Sequence, residues 1–98
     1  MPVNIEKILR DALTEAKGNE IHVRMEMPYD WGVTLSGEID GKDISVPNEM
    51  DFAKYAAEFK AAHATEKFNI IDFRFSKTGK FSEKAVYDAD FQKAQDAL

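Results

Sequence analysis

Histidine is the side chain best suited to moving protons near neutral pH, and this chain has two, His22 and His63. A hydroxyl nucleophile needs such a base beside it. No serine or threonine stands in a nucleophile-elbow pattern. His22 falls on the polar face of an alternating segment between Glu20 and Arg24. His63 falls near the end of a helical segment, where a cation suits the negative helix terminus. Surface and capping roles are therefore expected for both, and no catalytic residues are assigned.

Metal chemistry finds equally little. There are no cysteines, so thiolate nucleophiles, disulfides and cysteine zinc sites are excluded. His22 with Glu20 and Glu26 makes at most a partial ligand set on one strand face. Asp40-Gly41-Lys42-Asp43 resembles a fragment of a calcium loop, but lacks the spaced acids and terminal glutamate of an EF-hand. It reads better as a hairpin turn. Gly32, Gly37, Gly41 and Gly79 are scattered and form no phosphate cradle. The expectation is a protein without metal or cofactor.

Charge is more informative. Eighteen acids against 13 bases leave a net charge of −5. No basic run exists to neutralise phosphates, which argues against direct nucleic-acid binding. Phe73, Phe75 and Phe81 on adjacent strands have the look of a base-stacking sheet, but Asp72 and Glu83 beside them favour core packing. The stretch from Glu38 to Asp51 holds Glu38, Asp40, Asp43, Glu49 and Asp51 against Lys42 alone. Asp88, Asp90 and Asp96 form a second group. Such acids are a solvated edge with helix caps, or a surface that docks a basic protein. On the second reading Asp40, Asp43, Glu49 and Asp51 are the partner-binding candidates. Trp31 beside Tyr29 is either core or an exposed interface anchor.

The elements that position these residues follow from periodicity. Ninety-eight residues make one domain, residues 1–98, and 11% aromatic content argues against disorder. Ile5, Ile8, Leu9, Ala12, Leu13 and Ala16 share one helical face, with Asn4 as N-cap and Gly18-Asn19 as the left-handed stop. Residues 20 to 27 alternate as a strand with Ile21, Val23, Met25 and Met27 inward, broken by Pro28-Tyr29-Asp30. Trp31, Val33, Leu35 and Ile39 form a second strand, with Gly37 in the inward register marking a bulge or a close backbone approach. Asp40-Gly41 turns the chain into a short third strand through Ile44 and Val46, which Pro47 ends. Asn48 caps a second helix with the stripe Phe52, Tyr55, Ala56, Phe59 and Ala62 or His63. Phe68 to Ser76 is a strand with Ile71, Phe73 and Phe75 on one face and Phe68 and Ile70 on the other, so its start is covered on both sides. After the Lys77-Thr78-Gly79-Lys80 turn, Phe81 to Tyr87 returns with Phe81, Ala85 and Tyr87 in register. Asp88 or Asp90 then caps a short helix carrying Phe91, Ala94 and Leu98. The fold class is α+β in the order α-β-β-β-α-β-β-α, one antiparallel sheet of about five strands packed by helices.

The segment Phe68-Asn69-Ile70-Ile71-Asp72-Phe73-Arg74-Phe75-Ser76-Lys77-Thr78-Gly79-Lys80-Phe81, followed by Val86-Tyr87-Asp88-Ala89-Asp90-Phe91, resembles the C-terminal part of the YezG-like immunity proteins of bacterial polymorphic toxin systems. The resemblance spans residues 68–91. It implies a cytoplasmic antitoxin that binds and occludes a toxin domain, often a nuclease, and it implies no catalytic residues. Two other classes fit the residues: a phage-encoded inhibitor or nucleic-acid mimic using the same acids, and a small-ligand module using His22 or Tyr29. A cytoplasmic location is expected, since the start Met1-Pro2-Val3-Asn4 lacks a signal pattern and no apolar run nears the ~18 residues of a membrane span.

Overall fold

The first turn of a helix leaves amide groups without partners, and the N-terminal helix supplies one from its own sequence. A computed structural model describes residues 3–29 and 32–97. Helix α1 spans Ile5–Ala16, and the Asn4 side chain, on extended backbone, accepts from the Lys7 amide at 3.1 Å. Ile5, Leu9 and Leu13 are its buried stripe. Lys7–Asp11 and Glu6–Arg10 pair one turn apart on the wet side.

The end of α1 differs from the sequence expectation. The left-handed residue is Lys17, with φ 55°, and not Gly18 or Asn19. Gly18 serves space instead: a Cβ there would lie 2.4 Å from Ile39 Cγ2. The glycine lets the second strand's last inward side chain reach under the helix.

Five strands follow: β1 Glu20–Tyr29, β2 Gly32–Ile39, β3 Lys42–Ile44, β4 Ile70–Ser76 and β5 Phe81–Val86. Between β3 and β4 lies α2, Glu49–Ala62, and α3, Ala89–Asp96, closes the chain. The sheet order is β3-β2-β1-β4-β5, with all four pairings antiparallel. This is the α+β fold and element order the periodicities predict. β1 does not stop at Pro28. It continues to Tyr29 through a register shift after Glu26, a place where the missing proline amide is tolerated. Of the two expectations at Gly37, a bulge does not form, since the register runs through it, while neighbours do come close: Val46 Cγ2 would lie 3.0 Å and the His22 carbonyl oxygen 3.5 Å from an added Cβ. Asp40 and Gly41 both take positive φ, as their two-residue turn requires.

One face of the sheet is dry. Ile21, Val23, Met25 and Met27 of β1 and Ile71, Phe73 and Phe75 of β4 pack with the α1 stripe and with Phe52 and Ala56 of α2 in one cluster. Phe52 and Tyr55 both meet the Phe73 ring edge-on, at centroid distances of 5.7 Å. Truncating a fully buried Phe73 to alanine would cost about 3–5 kcal/mol. The start of β4 is covered on both faces, with Ile70 and Ile71 each almost fully buried. Phe68, placed outward by alternation, instead packs against the core with its ring edge-on to Phe59, because it precedes the strand. Asn48 sits at the α2 N-cap but in left-handed backbone, with no side-chain capping bond.

The helices do not reach across β5. Phe81 is in the inward register opposite Phe75, yet it is 36% exposed, and Tyr87 is exposed too. Glu83, also inward, accepts a hydrogen bond from the Tyr55 hydroxyl of α2. An inward charge on one edge strand, and a three-residue β3 near Pro47 on the other, blunt both edges against pairing with other chains. Asn69, buried, clasps the tail: its Nδ2 donates to the Asp88 carbonyl and its Oδ1 accepts from the Asp88 amide, each at 2.8 Å. Asp88 in turn caps α3 by accepting from the Phe91 amide at 2.9 Å. Leu98 and Trp31 lie outside the described residues, as does the side chain of Tyr29. Among the described residues no helix is long and apolar enough to cross a membrane.

Lys17→Gly removes a left-handed non-glycine residue and should raise stability by about 0.5–1 kcal/mol, while Gly18→Ala should lower it by about 1–3 kcal/mol through its clash with Ile39. Urea melts of both variants check the pair. Burial first, and then the Glu83 carboxylate, push the Tyr55 phenol well above its ordinary range near 10. The folded state therefore holds this proton after the unfolded chain loses it, and stability falls as pH rises past about 10. Tyr55→Phe should flatten that alkaline decline in melts between neutral and strongly basic pH.

Candidate functional site

The face of the sheet opposite α1 and α2 carries most of the charged strand residues. Alternation puts Glu20, His22, Arg24 and Glu26 of β1 on it, and pairing adds their neighbours. One cross-strand row reads Asp43, Glu38, His22, Arg74, Ser82 from β3 to β5. The next row reads Ser36, Arg24, Asp72, Lys84.

His22 is the hub. Its Nε2 lies 3.0 Å from Asp72 Oδ1, a diagonal contact between β1 and β4. Its Nδ1 lies 3.8 Å from Glu38 Oε1 on β2, beyond hydrogen-bond range. Arg24 Nε approaches the same Asp72 oxygen at 3.9 Å, and Arg74 donates to Glu20 at 3.3 Å. The partial metal set of His22, Glu20 and Glu26 does not assemble: Glu20 turns to Arg74, and Glu26 sits opposite Thr34 and Ile70. Among the described residues no three His, Asp or Glu side chains converge as metal ligands. No hydroxyl there bonds either ring nitrogen of His22, so no nucleophile–base pair forms around it.

Next to this hub two acids face each other. The two-residue turn at Asp40-Gly41 sets Glu38 directly opposite Asp43. Like charges across a strand pair repel. Among the described residues Asp43 has no ion pair, and Glu38 has only the distant His22 ring. Both line a shallow groove of about 230 Å³ with His22, Arg24, Ser36 and Gly37. This arrangement suits a guanidinium or ammonium group arriving from outside, which would relieve the repulsion.

The four acids singled out from the sequence separate. Asp43 joins the groove. Asp40 is turned onto the backbone: its carboxylate accepts from the amides of Asn19 and Glu20 at 3.1 Å, stapling the α1–β1 loop to the hairpin. Its first role is structural. Glu49 and Asp51 lie in the first turn of α2, where the helix end favours acids. Asp51 lines a different groove, shared with Lys7, Asp11 and Lys54. Met50 stands between them, 83% exposed. Sequence reasoning did not single out Glu38, although the hairpin register implied by Asp40-Gly41 pairs it with Asp43 by counting outward from the turn.

Neutralising one of the two facing acids, Asp43→Asn, should stabilise the fold by about 0.2–1 kcal/mol at low ionic strength, and less in high salt. Urea denaturation at two salt concentrations measures this, and a loss of stability would mean the carboxylate holds the structure together.

No protein-family model matches this chain, and no curated protein matches it.

Proposed function

We propose that this chain acts by binding and not by catalysis, as an immunity protein that neutralises a bacterial toxin domain. The observation that carries the reading is the Glu38–Asp43 pair, two acids opposed across β2 and β3 on an open sheet face, of which Asp43 has no ion pair among the described residues. A folded chain keeps such a destabilising pair at a functional surface when a ligand compensates it. A basic side chain of a toxin, a nuclease among the candidates, is a suitable ligand, because a nuclease surface is itself built to hold phosphate. The net charge of −5 would steer that partner at long range. The segments Phe68 to Phe81 and Val86 to Phe91, which resemble the C-terminal part of the YezG-like immunity proteins, are consistent with this role. Occlusion would centre on the β2–β3 end of the open face, with Glu49, Met50 and Asp51 as a second contact patch. The protein would act in the cytoplasm, without cofactor.

The test starts from a tagged pull-down in a lysate of the source cell at low and high salt, followed by association kinetics with the protein recovered. A basic toxin domain should bind at low salt and be lost at high salt. The double variant Glu38→Gln/Asp43→Asn should fold at least as stably, yet associate about tenfold more slowly with a flatter salt dependence. Unchanged kinetics would sink the acidic-pair mechanism. Recovery of a nucleoprotein complex would replace the immunity reading with that of a nucleic-acid mimic.

A further inference from the structure

Away from the acidic face, the exit of α2 meets the exit of β5. His63 ends the helix, its amide donating to the Phe59 carbonyl at 3.0 Å. The chain turns at once, with the Glu66 amide on the His63 carbonyl at 3.0 Å, and Phe68 leads into β4. The Asn69 amide donates to the Val86 carbonyl at 2.9 Å, which brings Tyr87 beside this turn. Between them is a cavity of about 330 Å³ lined by Lys60, His63, Ala64, Glu66, Lys67, Phe68 and Tyr87. That volume is at the small end for ligand pockets.

Its walls are flat rings braced from behind. His63 stacks on Phe59 with centroids 4.2 Å apart, and Phe59 meets Phe68 edge-on at 4.9 Å. Tyr87, 47% exposed, also lines the cavity, and the Lys67 ammonium lies over its ring, 5.9 Å from the centroid. Charge at this mouth is opposite in sign to the net charge of −5. Lys60 and Lys67 are the cations, and Glu66, the one acid lining the cavity, lies 2.9 Å from His63 Nδ1. Among the described residues Lys67 has a ring face and no carboxylate as its partner.

We propose that this cavity is a binding site for a small aromatic anion, whose ring lies against Phe68 and Tyr87 and whose anionic group meets Lys67. The ring replaces water on exposed aromatic surface, and the anionic group forms a charge-assisted hydrogen bond with an ammonium that has none. The site is independent of the acidic groove and of the toxin-binding reading.

The test is an NMR titration of the isotope-labelled full chain with naphthoate, naphthyl phosphate, naphthamide and acetate. Saturable shifts should appear at His63, Lys67, Phe68 and Tyr87 with naphthoate or naphthyl phosphate, and the stronger of the two identifies a carboxylate or a phosphate as the preferred anion. Naphthamide and acetate should each bind at least fivefold more weakly. Lys67→Ala and Tyr87→Ala, both changes at exposed residues, should each weaken the anion about fivefold or more, while Lys77→Ala on the distant hairpin turn should not. Shifts elsewhere in the chain, equal binding of naphthamide, an unaffected Lys67→Ala variant, or no saturable shifts would each overturn the proposal.

Discussion

The pairing of β1 with β4 is the constraint on which the rest of this structure depends. These strands are about 50 residues apart in sequence, yet they pair from Glu20 with Ser76 to Glu26 with Ile70. On the dry side that register sets Val23 against Phe73 and Ile21 against Phe75, the floor on which α1 and α2 rest. On the wet side it brings Asp72 within hydrogen-bond distance of His22. Strand period is two residues, so a slip of one position would expel the aromatic floor and dissolve the His22 network together. The core thus holds the polar face in register, and the polar face takes its geometry from the core.

The two faces handle charge differently. Most charged side chains on the open face find a partner across a strand: Arg74 with Glu20, Arg24 and His22 with Asp72. Such exposed pairs are each worth little, in the range of 0–1 kcal/mol. Their use here is to leave the field uneven. Charge is balanced around Asp72 and unbalanced at Glu38 and Asp43, on the β2–β3 side. Under the proposed binding role, a charged partner would meet a defined site and not a uniformly acidic surface, which would give orientation as well as attraction. At the α2 exit Lys67 has, among the described residues, a ring face and no acid as its partner.

Polar side chains also do structural work that composition alone conceals. Asp40 caps amides of the α1–β1 loop, Asp88 caps α3, and buried Asn69 ties that cap to β4. α3 has no buried residues, so its attachment rests on this clasp more than on apolar area. Asp40 does not belong with the free acids, because its oxygens already have backbone donors.

Local periodicity was enough to determine the elements. A 3.6-residue stripe in α1, strict alternation in β1 and the Asp40-Gly41 turn are each decided by side chains within a few residues of one another, and all were legible. So were the α+β class, the element order and the close approach at Gly37. Tertiary structure alone decided which strands are neighbours, that Pro28 lies in an irregularity instead of at a strand end, that Lys17 and not Gly18 takes the left-handed conformation, and that β5 stays uncovered. It also decided that His22 faces Asp72 and Glu38 instead of the acids of its own strand. The physical reason is one of range. Backbone conformation and face are set by nearest neighbours along the chain, but the partners of a side chain across a sheet are set by where distant strands dock, and that is settled by burial of the whole apolar face at once.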